Sequence, residues 1–273
     1  MSAAIAQGRS SIRVCLATAA TEIRRTLAYT IEVIRWPLFP LLYYVSLYFT
    51  YEAAGRDSAG SVTPAAFLLV GIFGMTLWSS AIWSGGYAVE TERSTGTINS
   101  LFLTPASRGA VVIGYSLGAV AVFVAPTMLV ATGLALVLGV DFNVADPIAV
   151  VVSFASLLIA AIAMSYLLAG AFVLTRKANM FANFLQTPIY LLSGMVVPVG
   201  DLPGVLQWFA YAFPVSAGME ALRGTLLSGQ TLGMVGDSIV RLLIVSVVLM
   251  IVGQFLLERV EHAARNAGTL DFE

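Results

Sequence analysis

Charge is scarce in this chain. Only 11% of the residues are Asp, Glu, Lys or Arg, against roughly a quarter in a soluble domain, which excludes an ordinary water-soluble globule. Lysine is almost missing: Lys177 is the single one among 14 basic residues. Cysteine is reduced to Cys15, so no internal disulfide framework exists, and Cys15 reads as a small apolar filler. One histidine, His262, excludes a histidine-based metal cluster and a Ser-His arrangement. No GxxxxGK[ST] stretch occurs, so the chain does not hold ATP by a phosphate loop. The middles of the long apolar runs are almost free of acidic residues, which counts against a proton- or sodium-coupled carrier. The formal net charge of −1 points to no nucleic acid. The N-terminal segment has scattered arginines and no short apolar core with a small-residue cleavage site, so a cleavable signal peptide is not expected.

What is present is apolar: 59% of the chain is hydrophobic. The runs are continuous and do not alternate, which predicts helices and not a β-barrel. Residues 1–9 read as an unstructured start. From 10 to 35, Ile12, Leu16, Ala19, Ile23, Leu27 and Ile31 recur at helical spacing, with Arg13, Glu22, Arg24, Arg25 and Glu32 mostly off that line. This is the pattern of an amphipathic helix in the membrane interface. Six spans are expected at 36–51, 64–89, 111–138, 148–174, 181–199 and 239–257. Trp36 and Tyr51 suit the two headgroup layers. Tyr43, Tyr44 and Tyr48 carry hydroxyls that need partners inside hydrocarbon; together with Met195 they are candidates for a pathway or a dimer interface, with plain packing an equal alternative. Small residues crowd span two, Gly85-Gly86 offer a bend near its end, and Pro126 predicts a kink in span three.

Between the runs 65–89 and 110–138 sits a polar island, ETERSTGTINSLFLTPASR, residues 90–108. Ile98, Leu101 and Phe102 fall at i, i+3 and i+4, one side of a short helix. Thr97 is a candidate N-cap, and Thr104-Pro105 closes the helix because a residue before proline avoids helical backbone. A second stretch, 186–224, is apolar but cut by prolines. Leu202–Phe213 is too short to span, and Glu220 and Arg223 stand three apart, able to pair or to sit as separate surface charges.

These two stretches resemble the ABC-2 type permeases, membrane subunits of ABC exporters. The first is similar to their cytoplasmic coupling loop: Glu90, Glu92 and Arg93, then Gly96-Thr97 opening a helix with Ile98, Leu101 and Phe102, then Pro105, Ser107 and Arg108. The second is similar to their signature region, in Ser193-Gly194, Pro198, Asp201, Pro203, Pro214, Glu220 and Arg223. The resemblance implies an all-α integral membrane fold: six transmembrane helices, an N-terminal interfacial helix, a coupling helix within 90–109, and a re-entrant or interfacial hairpin at 200–224 before the last span. It implies two ATP-binding subunits holding ATP and Mg, no cofactor in this chain, and a second permease chain, identical or related.

The basic residues give the orientation. With both termini in the cytoplasm, eleven of the fourteen lie inside and only Arg56, Arg223 and Arg241 outside. The expected location is a bacterial cytoplasmic membrane, with lipid as a constant partner. Drug or antibiotic efflux is the expected activity. Export of a lipid or lipid-linked polysaccharide, and an ATP-independent channel or scaffold, stay open.

Overall fold

The computed structural model describes residues 2–56, 58–59, 62–88, 90, 108–173, 175 and 178–267. Nearly all of them are helical, and among them no strand forms beyond an isolated bridge between Ala59 and Val62. The helices are α1 (Ser2–Ala28), α2 (Thr30–Ala53), α3 (Pro64–Ser80, continued by a π turn over Ala81–Gly86), α4 (Arg108–Leu138), α5 (Pro147–Val173), α6 (Ala178–Leu192), α7 (Gly204–Ala212), α8 (Pro214–Leu227) and α9 (Leu232–Ala267).

Local chemistry sets most of the starts. Thr63 accepts the N–H of Ala66 on its hydroxyl, and Pro64 follows at the first helical position, where its missing N–H costs nothing. Pro147 and Pro214 open α5 and α8 in the same way. The Asp146 carboxylate takes N–H groups from Ile148 (3.0 Å) and Ala149 (3.2 Å) in the first turn of α5. Its other oxygen takes the Leu232 N–H at 3.2 Å, so one side chain caps α5 and also ties down the start of α9.

Four segments are long and apolar enough to cross a membrane: Pro64–Gly86, Gly109–Leu138, Pro147–Phe172 and Leu232–Arg259. The first is 89% buried inside the protein and the last only 22%. Span two is therefore the hub, and α9 lies at the periphery. Val240, Ile244, Val247, Ile251 and Phe255 are exposed along α9, as residues meeting lipid tails are. α9 packs along α5, where Gly253 sits against the backbone of Tyr166 and Leu167, and Gly170 sits against Leu256. α1 lies along α4, with Gly114 against Cys15 and Gly118 against Ala19 and Glu22.

Several boundaries differ from the sequence expectation. Residues before Ser10 continue α1 and are helical from Ser2. The 10–35 helix is broken at Tyr29, whose backbone is extended (φ −112°, ψ 94°), and residues 30–35 belong to α2. The apolar spacing runs on across that break, so periodicity could not show it. Pro37 and Pro40 lie inside α2. Span 181–199 is helical only to Leu192; Gly194 takes a left-handed φ of +75° and the chain turns. At 15 residues α6 is about 22 Å long, less than the ~30 Å hydrocarbon core. α9 begins at Leu232, before the expected start of the last span at 239. Within 200–224, Pro203 precedes α7 and Pro214 opens α8.

Two outcomes follow from these contacts. A Cβ at Gly253 would lie 2.8 Å from the Tyr166 carbonyl oxygen and 2.9 Å from the Leu167 nitrogen, atoms that cannot swing aside. Gly253→Val should cost ~1–3 kcal/mol, read as a lower melting temperature in detergent. Gly236→Ala, whose Cβ meets open space, should lose nothing. The Asp146 carboxyl is held below the usual range, first by the Leu232 N–H and then by those of Ala149 and Ile148. A lowered folded-state value contributes stability above the unfolded value of ~3.9, lost as pH falls through the folded one. Asp146→Ala should therefore melt earlier than wild type at pH 7, and the gap should close below about pH 4.

Candidate functional site

A cavity of ≈560 Å³ opens between the α1–α2 junction, the π turn of α3, α4 and α6. Its walls combine rings (Tyr29, Trp36, Phe39, Trp83, Phe123) with Glu22, Arg25, Arg35, Asn183 and Gln186. Glu22 is 1% exposed. Arg25, one turn later on α1, bridges it at 2.8 Å, and the Ser84 hydroxyl donates to it at 3.1 Å from the π turn. Gly118 gives Glu22 its room, since a Cβ there would lie 2.7 Å from the Glu22 Cβ. Trp36 stacks on Phe123 with ring centroids 4.2 Å apart.

A second polar chain runs along the same wall. The Trp83 indole N–H donates to Gln186 Oε1 at 3.2 Å. Gln186 Nε2 donates to the Tyr190 hydroxyl at 2.9 Å, and that hydroxyl shares a 2.6 Å bond with Ser79. The four side chains of this chain, Trp83, Gln186, Tyr190 and Ser79, thus satisfy one another, as a low-dielectric interior requires. π turns recur at functional positions because they interrupt the regular ladder, and this one carries both Trp83 and Ser84. The cavity has apolar faces and a few fixed polar groups, the form of a small-molecule site. Among the described residues no group of three His, Cys, Asp or Glu could hold a metal.

The sequence-predicted residues fall into three sets. Of the coupling loop, only Glu90 is described, half-buried at the end of a helical turn; Glu92, Arg93, Gly96, Thr97, Ile98, Leu101, Phe102, Pro105 and Ser107 lie outside the described residues, as does the Arg108 side chain. The signature residues gather at the other end of the bundle. Asp201 pairs with Arg56 at 3.1 Å. The Pro198 carbonyl accepts the Asp201 N–H at 3.0 Å, and the Pro203 carbonyl accepts that of Leu206 at 2.8 Å. Ser193 and Pro214 are buried. Glu220 and Arg223 do not pair. Glu220 meets Arg241 at 3.4 Å, while Arg223 turns to backbone carbonyls of Phe67, Gly194 and Met195 and lies over the Phe67 ring.

The third set is split. Tyr44 is 3% exposed, donates to the Ala65 carbonyl at 3.4 Å and stacks on Tyr48. Met195 is completely buried, against Gly71 and Gly74. Both pack inside this chain. Tyr43 and Tyr48 are half-buried, and Tyr43 meets the edge of the Tyr190 ring. Glu22, Arg25, Trp83, Ser84, Gln186 and Tyr190 were not singled out. The i, i+4 spacing of Gln186 and Tyr190 was the only sequence signal for the wall.

The described helices thus form a bundle with four segments apolar and long enough to cross a membrane, an amphipathic cavity at one end and the proline-bounded α7–α8 segment at the other. The family model described as ABC-2 type transporter matches residues 10–227. The chain belongs to that family and is the membrane permease component of an ABC transporter. The match ends where α8 ends, so α9 lies beyond it. No curated protein matches the chain.

The latch at Glu22 gives a ranking. Arg25→Ala leaves the buried carboxylate without its cation, a loss that reaches ~3–5 kcal/mol for fully buried pairs; the 45% exposure of Arg25 puts it at or below the low end. Glu22→Gln keeps an acceptor for Ser84 and releases Arg25 to water. Arg25→Ala should therefore unfold at a lower temperature than Glu22→Gln, and the reverse order would reject the latch.

Proposed function

We propose that this chain is the permease of an ATP-driven exporter of amphipathic small molecules, drugs or antibiotics among them. Two copies, or one copy and a related chain, form the pathway. Two separate ATP-binding subunits, which hold ATP and Mg, drive it through the 90–109 loop. The observation that carries this reading is the match to the ABC-2 family over residues 10–227. The cavity supports the substrate class: ≈560 Å³ lies within the ~300–1,000 Å³ of sites for drug-sized ligands. Aromatic walls with an amide and an ion pair suit a molecule that is part apolar and part polar. A lipid or lipid-linked glycan is the second reading, favoured by the position of the cavity beside α1, the amphipathic helix, where a headgroup would enter.

The loop and both termini lie in the cytoplasm of a bacterial cell, on the ATP side, a reading supported by the distribution of the basic residues. In the loop, Leu101 and Phe102 insert into a groove of the ATP-binding subunit, with Ile98 beside them. Gly96 and Thr97 start the short helix and Pro105 ends it. Glu90, Glu92 and Arg93 set the loop's angle and pair with charges on the ATP-binding subunit, and Ser107 caps the helix that follows. Side chains of this size contribute roughly 1.5–3 kcal/mol each when buried, and an aspartate in their place would bury an unpaired charge.

Leu101→Asp combined with Phe102→Asp should leave the protein in the membrane but lose co-purification with the ATPase and abolish ATP-dependent export from vesicles. Thr95→Asp and Asn99→Asp, off the apolar side, should be milder. Wild-type export by the double variant with its ATPase bound would overturn the coupling assignment.

A further inference from the structure

A second pocket, ≈380 Å³, lies at the opposite end of the bundle from the first, among α3, the turn after α6, and α8. Its wall includes Phe67, Gly194, Ser216, Arg223 and Gln230. Arg223 is the unusual member. A guanidinium has five N–H donors. Here Nε donates to the Phe67 carbonyl at 3.4 Å, and Nη2 to the carbonyls of Phe67 (3.2 Å) and Met195 (3.1 Å). Nη1 donates to the Gly194 carbonyl. Four donors are spent and one Nη1–H remains.

Carbonyls orient a cation without cancelling its charge. Among the described residues no carboxylate pairs with Arg223: Asp201 is taken by Arg56 and Glu220, on the pocket wall, by Arg241. The arrangement is built, not incidental. A Cβ at Gly71 would strike the Met195 carbonyl that Arg223 binds, and Gly194 needs its left-handed backbone to aim its own carbonyl. A second group on the same wall is also unspent. Ser216 is 4% exposed and its hydroxyl has no hydrogen-bond partner. A buried hydroxyl without a partner is costly, and so is a half-buried cation without an anion.

We propose that this pocket binds an anionic oxygen group, a carboxylate or a phosphate, between the Arg223 guanidinium and the Ser216 hydroxyl. The ligand supplies the missing negative charge and accepts the two unspent donors. The group comes from a soluble or exported anion or from a lipid headgroup. The assignment rests on the pocket alone and holds whichever molecule the first cavity takes.

The test uses the purified full-length protein. Inorganic phosphate, titrated at constant ionic strength against chloride, should raise the melting temperature with saturation. Ser216→Ala breaks no bond within the protein and should weaken the apparent affinity about tenfold, as for one hydrogen bond to a charged group. Arg223→Gln should abolish the response; if that variant fails to fold, Ser216→Ala carries the test. A second arm compares nanodiscs of phosphatidylcholine with nanodiscs containing phosphatidylglycerol. Stabilisation by phosphate assigns a soluble anion. Stabilisation only by phosphatidylglycerol, weakened in Ser216→Ala, assigns a lipid headgroup. No response to either probe, or a response that Ser216→Ala leaves unchanged, overturns the proposal.

Discussion

The centre of this bundle is built against α3, and α1 and α9 join it through α4 and α5. In hydrocarbon no hydrophobic effect draws one helix to another, so association depends on close packing and on polar contacts that lipid cannot offer. α3 meets that constraint by lacking side chains where neighbours come nearest. At Gly71 the Met195 carbonyl enters, at Gly74 the Met219 sulfur, and at Gly85 the hydroxyls of Ser116 and Ser165. The turn after α6, α8, α4 and α5 are thereby seated on one helix. The largest fully buried side chains, Trp78, Tyr190, Phe172 and Met219 among them, fill the spaces between those close approaches.

Each end of α3 then meets a buried charge, and the two are handled differently. At the π turn, Glu22 comes from α1 with its own cation, Arg25, one turn away, and borrows the Ser84 hydroxyl. That pair is nearly self-contained, and α3 adds a single hydrogen bond. At the start of α3, Arg223 arrives from α8 without an acid and relies on carbonyls of α3 and the 194–195 turn. The first arrangement ties α1 to the bundle. The second ties three separate stretches to one guanidinium, and its planar fork is what makes that geometry possible.

The elements that were legible in the sequence are those fixed by local chemistry. α3, α5 and α8 begin at Pro64, Pro147 and Pro214 because proline presets φ and needs no donor, and that is visible in any reading of the chain. The end of α6 was not legible: the apolar run continues to Val199, while the turn comes from Gly194 in a left-handed conformation. Hydropathy cannot register that. The burial of Glu22 was hidden for a related reason, since a helical pattern sorts residues by polarity and puts every acid on the solvent side. The i, i+3 spacing of Glu220 and Arg223 allowed a pair or two separate surface charges, and neither describes Arg223, whose partners come from 28, 29 and 156 residues away. Only the fold brings those carbonyls together. The family, by contrast, was readable from 90–108 and 186–224, where function constrains short motifs.

The π turn is where α3 meets the cavity. Over Ala81–Gly86 the regular ladder of α3 gives way, and Tyr87 and Ala88 follow it. A π turn holds one residue more than an α turn, and converting between the two rotates everything on its far side by about 100°, the angle per residue at 3.6 residues per turn. Ser84 and Trp83 are the residues such a change would move. Ser84 holds Glu22, and Trp83 begins the chain through Gln186 to Tyr190 and Ser79. Two walls of the cavity are therefore bonded to the π turn itself. A change of turn at Ala81–Gly86 could leave the cavity as it is only if both bonds broke first, so the shape of the cavity and the turn of α3 are set together.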